Sequence, residues 1–193
     1  MKMFSVKNKR AFTLIEMLTI VFIVGIVASL TLANYRGGQR RSDLITVAQN
    51  FASVFRRAQS MALSGHLEVT TGLPGYGYGV NITGAPTSTY RLFIDLNTSD
   101  SACPGGPSTC YRWDGTPTDE LTQTFTLPTN FQVQSVPCAD LSFSKPYGVV
   151  YCDGVALTVV SGDKTYTLVE TKENKYLYVK VNSSGKIDVV SSL

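Results

Sequence analysis

The sequence has little of the residue types on which most catalytic and metal sites depend. His66 is the single histidine among 193 residues, which excludes a multi-histidine metal site, and we find no nucleophile suitably spaced to form a triad with it. It directly follows the predicted end of a helix, where a capping or surface role is favoured over catalysis. We therefore expect no catalytic residues, no enzymatic activity and no cofactor.

Excess charge is also scarce. The chain has 17 basic and 14 acidic residues, a formal net charge of +3. Four of the basic residues, Lys2, Lys7, Lys9 and Arg10, precede the first apolar run. The positive charge thus belongs to one end of the chain, and the rest is close to neutral, which argues against a strongly basic nucleic-acid-binding body.

Cysteine is confined to the second half of the chain, at positions Cys103, Cys110, Cys138 and Cys152. In an oxidising compartment four cysteines form two disulfides, for which three pairings are open. We favour Cys103 with Cys110, which closes a short loop, and Cys138 with Cys152, which joins neighbouring strands. The Cys-x6-Cys and Cys-x13-Cys spacings lack the short knuckles of a zinc site, so no metal is expected.

One long apolar run is present, Phe12 to Ala33. As a helix its 22 residues extend about 33 Å, enough to cross a hydrocarbon core of about 30 Å. The basic residues before it favour a cytoplasmic N-terminus, with the rest of the chain outside. Glu16 lies within the run, where an ionised carboxylate costs about 2–3 kcal/mol near the bilayer centre unless it has a partner.

The stretch KNKRAFTLIEMLTIVFIVGIVA resembles the prepilin leader and N-terminal helix of type IV pilins and type II secretion pseudopilins. The resemblance implies a leader over residues 1–11, cleavage by a prepilin peptidase between Ala11 and Phe12, and N-methylation of Phe12. It departs from the family pattern at Ala11, where glycine is usual. The implied partners are the peptidase, other pilin subunits, an inner-membrane assembly platform and, before assembly, the lipid bilayer.

The resemblance also gives Glu16 a role, because the fifth residue of the mature family members is glutamate. A free amine at the first residue of a helix within an apolar bundle needs a carboxylate to neutralise it. We expect Glu16 of one subunit to pair with the Phe12 amine of its neighbour during filament assembly.

Helical periodicity continues beyond the membrane run. We expect a transmembrane assembly helix over 12–35 and an amphipathic helix over 36–66, with a kink or a locally melted stretch at Gly37 and Gly38, since each glycine costs about 1 kcal/mol relative to alanine within a helix. The predicted buried stripe of the second helix is spaced by three or four residues: Leu44, Ala48, Phe51, Phe55, Ala58 and Ala62. Gly65 is expected to end it.

From residue 67 to residue 193 the pattern changes to short alternating runs separated by turn dipeptides. Asp153-Gly154, Gly162-Asp163, Glu173-Asn174 and Ser184-Gly185 are predicted to be hairpin turns. The fold class is therefore α+β, with an antiparallel β-sheet packed on the apolar stripe of a long N-terminal helix. This is the pilin-like fold that the resemblance implies.

Several functions stay open at this stage. Within the family, VFRRAQSMALSGHLEVT, LFIDLNTSD and LSFSKPYGV are most similar to the H-type pseudopilin and FimT/FimU minor pilin group. A structural filament subunit is favoured; the alternatives are a DNA-binding minor pilin, a tip adhesin acting through the 95–120 loop, and a simple membrane-anchored domain.

The sequence gives only weak support for two ligands, DNA and calcium. Three scattered lysines in the C-terminal region predict weak, salt-sensitive DNA binding. The region after Asp95 resembles an incomplete calcium loop, for which an Asx-type turn is the favoured interpretation.

Overall fold

The computed structural model describes residues 12–67, 72, 75–96, 111–113, 119–158 and 162–191, with the backbone alone at 32–38 and 119–122. The chain divides into two compact units between Ser42 and Asp43. From residue 14 on, the first unit is helical. The second contains the rest of that helix and all the described strands.

Helix α1 (Leu14–Ser64) is a single α-helical element. Gly37 and Gly38 lie within it, so the locally melted stretch expected there is not formed. Glycine weakens a helix entropically but, unlike proline, keeps the N–H that the helix requires. Gly65 ends the helix as predicted: its φ is +62°, and the following N–H of His66 returns to the carbonyl of Met61 at 3.1 Å.

In the described residues, ten strands follow the helix: β1 (Gly77–Asn81), β2 (Thr89–Asp95), β3 (Asp119–Thr126), β4 (Phe131–Ser135), β5 (Asp140–Ser144), β6 (Val150–Cys152), β7 (Val155–Ala156), β8 (Lys164–Glu170), β9 (Lys175–Val181) and β10 (Ile187–Val190). They form two antiparallel sheets, a six-stranded sheet of order β3-β2-β1-β5-β6-β7 and a four-stranded sheet of order β10-β9-β8-β4. The α+β class is confirmed.

The single predicted sheet is replaced by two because β4 leaves the first sheet and pairs with β8, whereas β5 returns to pair with β1. An isolated bridge joins Thr87, two residues before β2, to Val133 of β4. Three of the predicted hairpin turns connect paired strands. The turn at Gly162-Asp163 does not, since β7 and β8 belong to different sheets.

The core of the second unit forms between α1 and the two sheets. All six residues of the predicted helical stripe are buried. Phe51 meets Tyr90 of the first sheet edge-on at 5.0 Å between ring centroids and Tyr166 of the second sheet at 6.0 Å. Phe55 also contacts Tyr166, at 5.2 Å. One helical face thus holds both sheets through aromatic contacts.

Candidate assembly segment and a covered face of the sheet

The first turn of α1 is closed by a reciprocal pair of hydrogen bonds between Thr13 and Glu16. The Glu16 N–H donates to the Thr13 hydroxyl at 3.3 Å, and the Thr13 N–H donates to Glu16 Oε2 at 3.3 Å. The Thr13 hydroxyl also lies 3.4 Å from the same carboxylate oxygen. This is a capping box, in which two backbone donors that a helix start would leave unpaired are satisfied by side chains.

The capping box assigns Glu16 a local role that our sequence analysis missed. Its signal was present, because Thr13-Leu14-Ile15-Glu16 has the spacing of the motif directly before an apolar run. The carboxylate is exposed within its own chain and lies in the first turn, where the helix dipole favours negative charge. The geometry thus holds an accessible carboxylate beside Phe12, the predicted first residue of the mature chain.

The side chains that follow form an apolar surface without cover from their own chain. Leu14–Thr31 is a helix long and apolar enough to cross a membrane, and none of it is buried. Phe22 is 67% exposed and Val21 70%. The hydroxyls of Thr19, Ser29 and Thr31 each donate to a carbonyl three or four residues earlier, so these polar groups are satisfied within the helix.

A second notable region is the face of the six-stranded sheet opposite the core residues Tyr78 and Val80. Residues on this face are buried although α1 does not lie there: Asn81, Phe93, Asp95, Asp140, Ser142 and Ser144. Their strands alternate inward and outward side chains, so they share one face by register. We call this set the covered face.

Residues 111–113 lie on the covered face and are held by hydrogen bonds. The backbone N–H of Tyr111 donates to Asp95 Oδ2 at 2.7 Å, and its carbonyl accepts from the Ser142 hydroxyl at 2.5 Å. The Trp113 ring contacts Phe93 edge-on at 5.7 Å. Buried polar groups on the sheet are thus paired with the backbone of this short segment.

Two glycines of β1 make room on the covered face, Gly77 for Tyr111 and Gly79 for Phe93. A Cβ at Gly77 would lie 2.7 Å from Tyr111 Cδ1, and one at Gly79 would lie 2.6 Å from Phe93 Cζ. The Tyr111 ring also stacks on Tyr151 with 4.0 Å between centroids. Tyr111 has a φ of +60°, a conformation that a bulky residue adopts only where its surroundings fix it.

Asp140 is, with Asp95, one of two buried carboxylates of the covered face. Its carboxylate accepts from the Asn81 side-chain amide at 2.6 Å and lies 3.4 Å from Nε of Arg112. Burial raises the pKa of Asp140 above its ordinary value, the Asn81 hydrogen bond opposes the rise, the charge of Asp153 adds to it, and Arg112 opposes it. The arrangement holds the segment in place on the sheet.

The remaining predicted residues are placed as follows. Cys138 and Cys152 form a disulfide with their Cα atoms 5.4 Å apart, whereas Cys103 and Cys110 lie outside the described residues. His66 is exposed, and its carbonyl accepts a hydrogen bond from the Tyr78 hydroxyl.

The carboxylate of Asp95, the first residue of the calcium-like motif, accepts a hydrogen bond from the Tyr111 N–H. The other residues of that motif and most of the 95–120 loop lie outside the described residues. No group of three potential metal ligands of the His, Cys, Asp or Glu type occurs in the described part of the chain.

The lysines of the C-terminal region, considered above for DNA binding, are each 2.6–2.7 Å from a carboxylate: Lys175 with Glu173, Lys180 with Asp163, and Lys186 with Asp188. A phosphate would have to compete with these carboxylates. The pairs are partly exposed, so each is weak, but together they reduce the positive potential on which nonspecific DNA affinity depends.

Comparison with known proteins bears on the N-terminal segment. Residues 6–32 match the family model described as the prokaryotic N-terminal methylation motif. No curated protein and no solved structure matches the chain significantly. The match supports the resemblance to type IV pilins and pseudopilins, whose members are generally structural, and it indicates a type IV pilin-like prepilin that a prepilin peptidase processes and that assembles with other pilins.

Proposed function

We propose that the chain is a non-enzymatic structural subunit, a minor pilin or a pseudopilin, of a type IV pilus or type II secretion filament. The observation that carries this proposal is the coincidence of the methylation motif at residues 6–32 with a helix whose apolar side chains are exposed throughout Leu14–Thr31. Such a surface is stable only in lipid or against other apolar helices. Filament subunits require both environments in turn.

Processing is the first step of the proposed pathway. The leader of residues 1–11 stays in the cytoplasm, the peptidase cuts between Ala11 and Phe12, and Phe12 is N-methylated. The globular unit is then extracytoplasmic while the helix anchors it in the inner membrane. An assembly platform in that membrane draws the subunit into the filament.

Co-expression with a prepilin peptidase tests this step. The membrane-bound product should have the intact mass and the N-terminal sequence of a chain that begins at methylated Phe12. The Ala11→Gly variant restores the usual residue and should be cut at least as fast. A chain that retains Met1 in both variants would instead be a simple membrane-anchored domain.

Assembly is proposed to depend on the charge of Glu16. Its carboxylate lies exposed in the first turn, where it can neutralise the Phe12 amine of an adjacent subunit in a surrounding of low dielectric constant. The capping box allows charge and cap to be separated, because glutamine also fills the third helical position of that motif. Glu16→Gln therefore removes the charge and keeps the cap, whereas Thr13→Ala removes the cap and keeps the charge.

The test is incorporation into filaments in a cell that contains the remaining assembly components, measured in sheared filament fractions. Glu16→Gln should lower incorporation about tenfold or more, since leaving one member of a buried ion pair unpaired costs about 3–5 kcal/mol. Thr13→Ala should be incorporated to within about threefold of the parent chain, in keeping with a cap worth about 1 kcal/mol. Equal incorporation of Glu16→Gln and the parent chain would contradict the pairing.

The H-type pseudopilin and FimT/FimU minor pilin group is the proposed subgroup. Its support is the sequence similarity of residues 54–70, 92–100 and 141–149, which lie at the end of α1, in and after β2, and in and after β5. Detection of this chain in a purified pilus, or in a secretion pseudopilus, would decide between the two filament types.

A further inference from the structure

A groove with a volume of about 360 Å³ lies between α1 and the strand β3. Its apolar lining comes from Val47, Val54, Tyr90, Phe125, Leu127 and Pro128. Asn50, Ser53 and Thr126 complete the lining. No charged side chain is among these described residues, so the groove suits an uncharged occupant with a large apolar group.

Tyr90 gives the groove an unused polar group. Its side chain is 5% exposed and is held by Phe125, which stacks on it at 5.2 Å, and by Phe51. Its hydroxyl forms no hydrogen bond within the part of the chain that the structure describes. Burial raises the pKa of Tyr90 to about 12, which keeps the hydroxyl protonated and able to donate. A buried hydroxyl without a protein partner is uncommon and calls for a ligand or a water.

The groove also borders a sheet edge. Among the described strands, β3 is the last of the six-stranded sheet and pairs with β2 alone. The N–H of Leu127 donates to the carbonyl of Ser88 at 2.7 Å, in line with the register that sets Thr126 opposite Thr89. Since hydrogen-bonded and non-bonded pairs alternate in an antiparallel ladder, the N–H groups of Thr124 and Thr126 face away from β2.

We propose that this edge and groove form a peptide-docking site, in which an extended, uncharged strand of another polypeptide pairs with β3 and places a large apolar side chain against Phe125 and Tyr90.

The two halves of the site act together. Backbone pairing with Thr124 and Thr126 supplies affinity without sequence preference, and the groove selects the side chain on the inward face of the added strand. A carbonyl of the docked strand accepts the Tyr90 hydrogen bond. The site lies wholly within the second unit and uses neither Phe12 nor Glu16, so it goes beyond filament assembly and does not depend on it.

The test uses the full chain in detergent micelles and two labelled, blocked pentapeptides, whose binding is followed by fluorescence anisotropy. The first probe is Ac-Thr-Thr-Phe-Thr-Thr-NH2, which has the strong strand preference of threonine. The second has aspartate in place of phenylalanine. The phenylalanine peptide should bind at least about tenfold more tightly, because the groove offers no partner for a charge.

Variants of the chain separate strand pairing from simple apolar contact. Thr126→Pro removes one outward N–H from an edge strand, where proline is tolerated, and should weaken the phenylalanine peptide about tenfold, whereas Thr126→Ala should stay within about twofold. Tyr90→Phe should weaken it about three- to tenfold. If Thr126→Pro lowers the unfolding midpoint, Thr124→Pro replaces it, since its N–H faces the same way.

Equal binding of the two peptides would overturn the proposal, as would binding unchanged by both proline variants. Because the measurement is made on unassembled chains, a failure here is distinct from a failure of filament incorporation.

Discussion

Two phenylalanines of the same helix have opposite surroundings. Phe22, in the first unit, is 67% exposed, whereas Phe51, in the second, is fully buried between Tyr90 and Tyr166. The residue type and the backbone are the same, so the difference lies in what covers the ring. The second unit supplies its own cover from two sheets, and the first relies on lipid or on other helices.

The largest expected effect follows directly from this contrast. Phe51→Ala should lower the free energy of unfolding by about 3–5 kcal/mol, because it leaves a cavity among packed aromatic rings. Phe22→Ala should change it by less than about 0.5 kcal/mol. Urea unfolding of the full chain in micelles, followed by the fluorescence of Trp113, the only tryptophan, measures both. Equal losses in the two variants would mean that the units are not energetically separate.

Glycine gives the second comparison. Gly79→Ala in β1 brings a methyl group within 2.6 Å of Phe93 Cζ and 2.8 Å of Ser142 Cβ, and should cost about 1–3 kcal/mol through overpacking. Gly25→Ala in the first unit meets nothing within 4 Å and should favour the helix by about 1 kcal/mol. Urea unfolding measures the effect of Gly79→Ala, and the helical signal in circular dichroism measures the effect of Gly25→Ala. A stabilising Gly79→Ala would show that Phe93 and Ser142 leave room for a side chain at this position.

These contacts mark where sequence reasoning succeeds and where it does not. The buried stripe of α1 follows from residue spacing, because a helix repeats every 3.6 residues whatever it packs against. β1 was harder to find, because Gly77 and Gly79 lower its strand propensity. A Cβ at Gly77 would meet Tyr111, more than thirty residues later, and a Cβ at Gly79 would meet Phe93 of β2. A pattern within a short window carries no information about such a contact.

The pairing of the strands was the second feature that could not be predicted from the sequence. The alternation in β4 and β5 predicts that each is a strand, but the two pair in different sheets, and alternation is the same for either partner. At the candidate assembly segment, by contrast, the sequence signals are local. Glu16 stands out in the sequence as a charge within an apolar run, and its hydrogen bonds with Thr13 follow from the spacing of three residues that a capping box requires.

A smaller effect is expected at that cap. Thr13→Ala should weaken the first turn of α1 by about 1 kcal/mol and leave the stability of the second unit unchanged. Amide hydrogen exchange, read by residue, should show faster exchange at residues 14–17 and no change in β1. Ser53→Ala is the matched control, because the Ser53 hydroxyl donates to a carbonyl within the helix and caps nothing. Faster exchange that spread into the strands would contradict the separation of the two units.

The smallest effect concerns pH, where a single carboxyl group is involved. The pKa of Asp140 is raised from 3.8, mainly by burial, so the folded state binds this proton more tightly than the unfolded state. The stabilisation that the protonated Asp140 carboxyl group contributes is complete below pH 3.8. It is lost as pH rises through the pKa of Asp140 in the folded state.

Asp140→Asn removes this dependence. As pH rises from about 4 to about 7, the parent chain should therefore lose unfolding free energy relative to Asp140→Asn. Urea unfolding at several pH values measures it. A difference that is constant across this range, or that moves in the parent chain's favour, would contradict the raised pKa.

The fit of Tyr111 over Gly77 has a consequence for how relatives of this chain can diverge. A side chain at position 77 would meet the Tyr111 ring and is accommodated only where that ring is smaller or absent, so positions 77 and 111 should change together across homologues. Relatives with a smaller residue at position 111 should be free to carry valine or threonine at position 77, and that correlated substitution would be visible in an alignment without any structure.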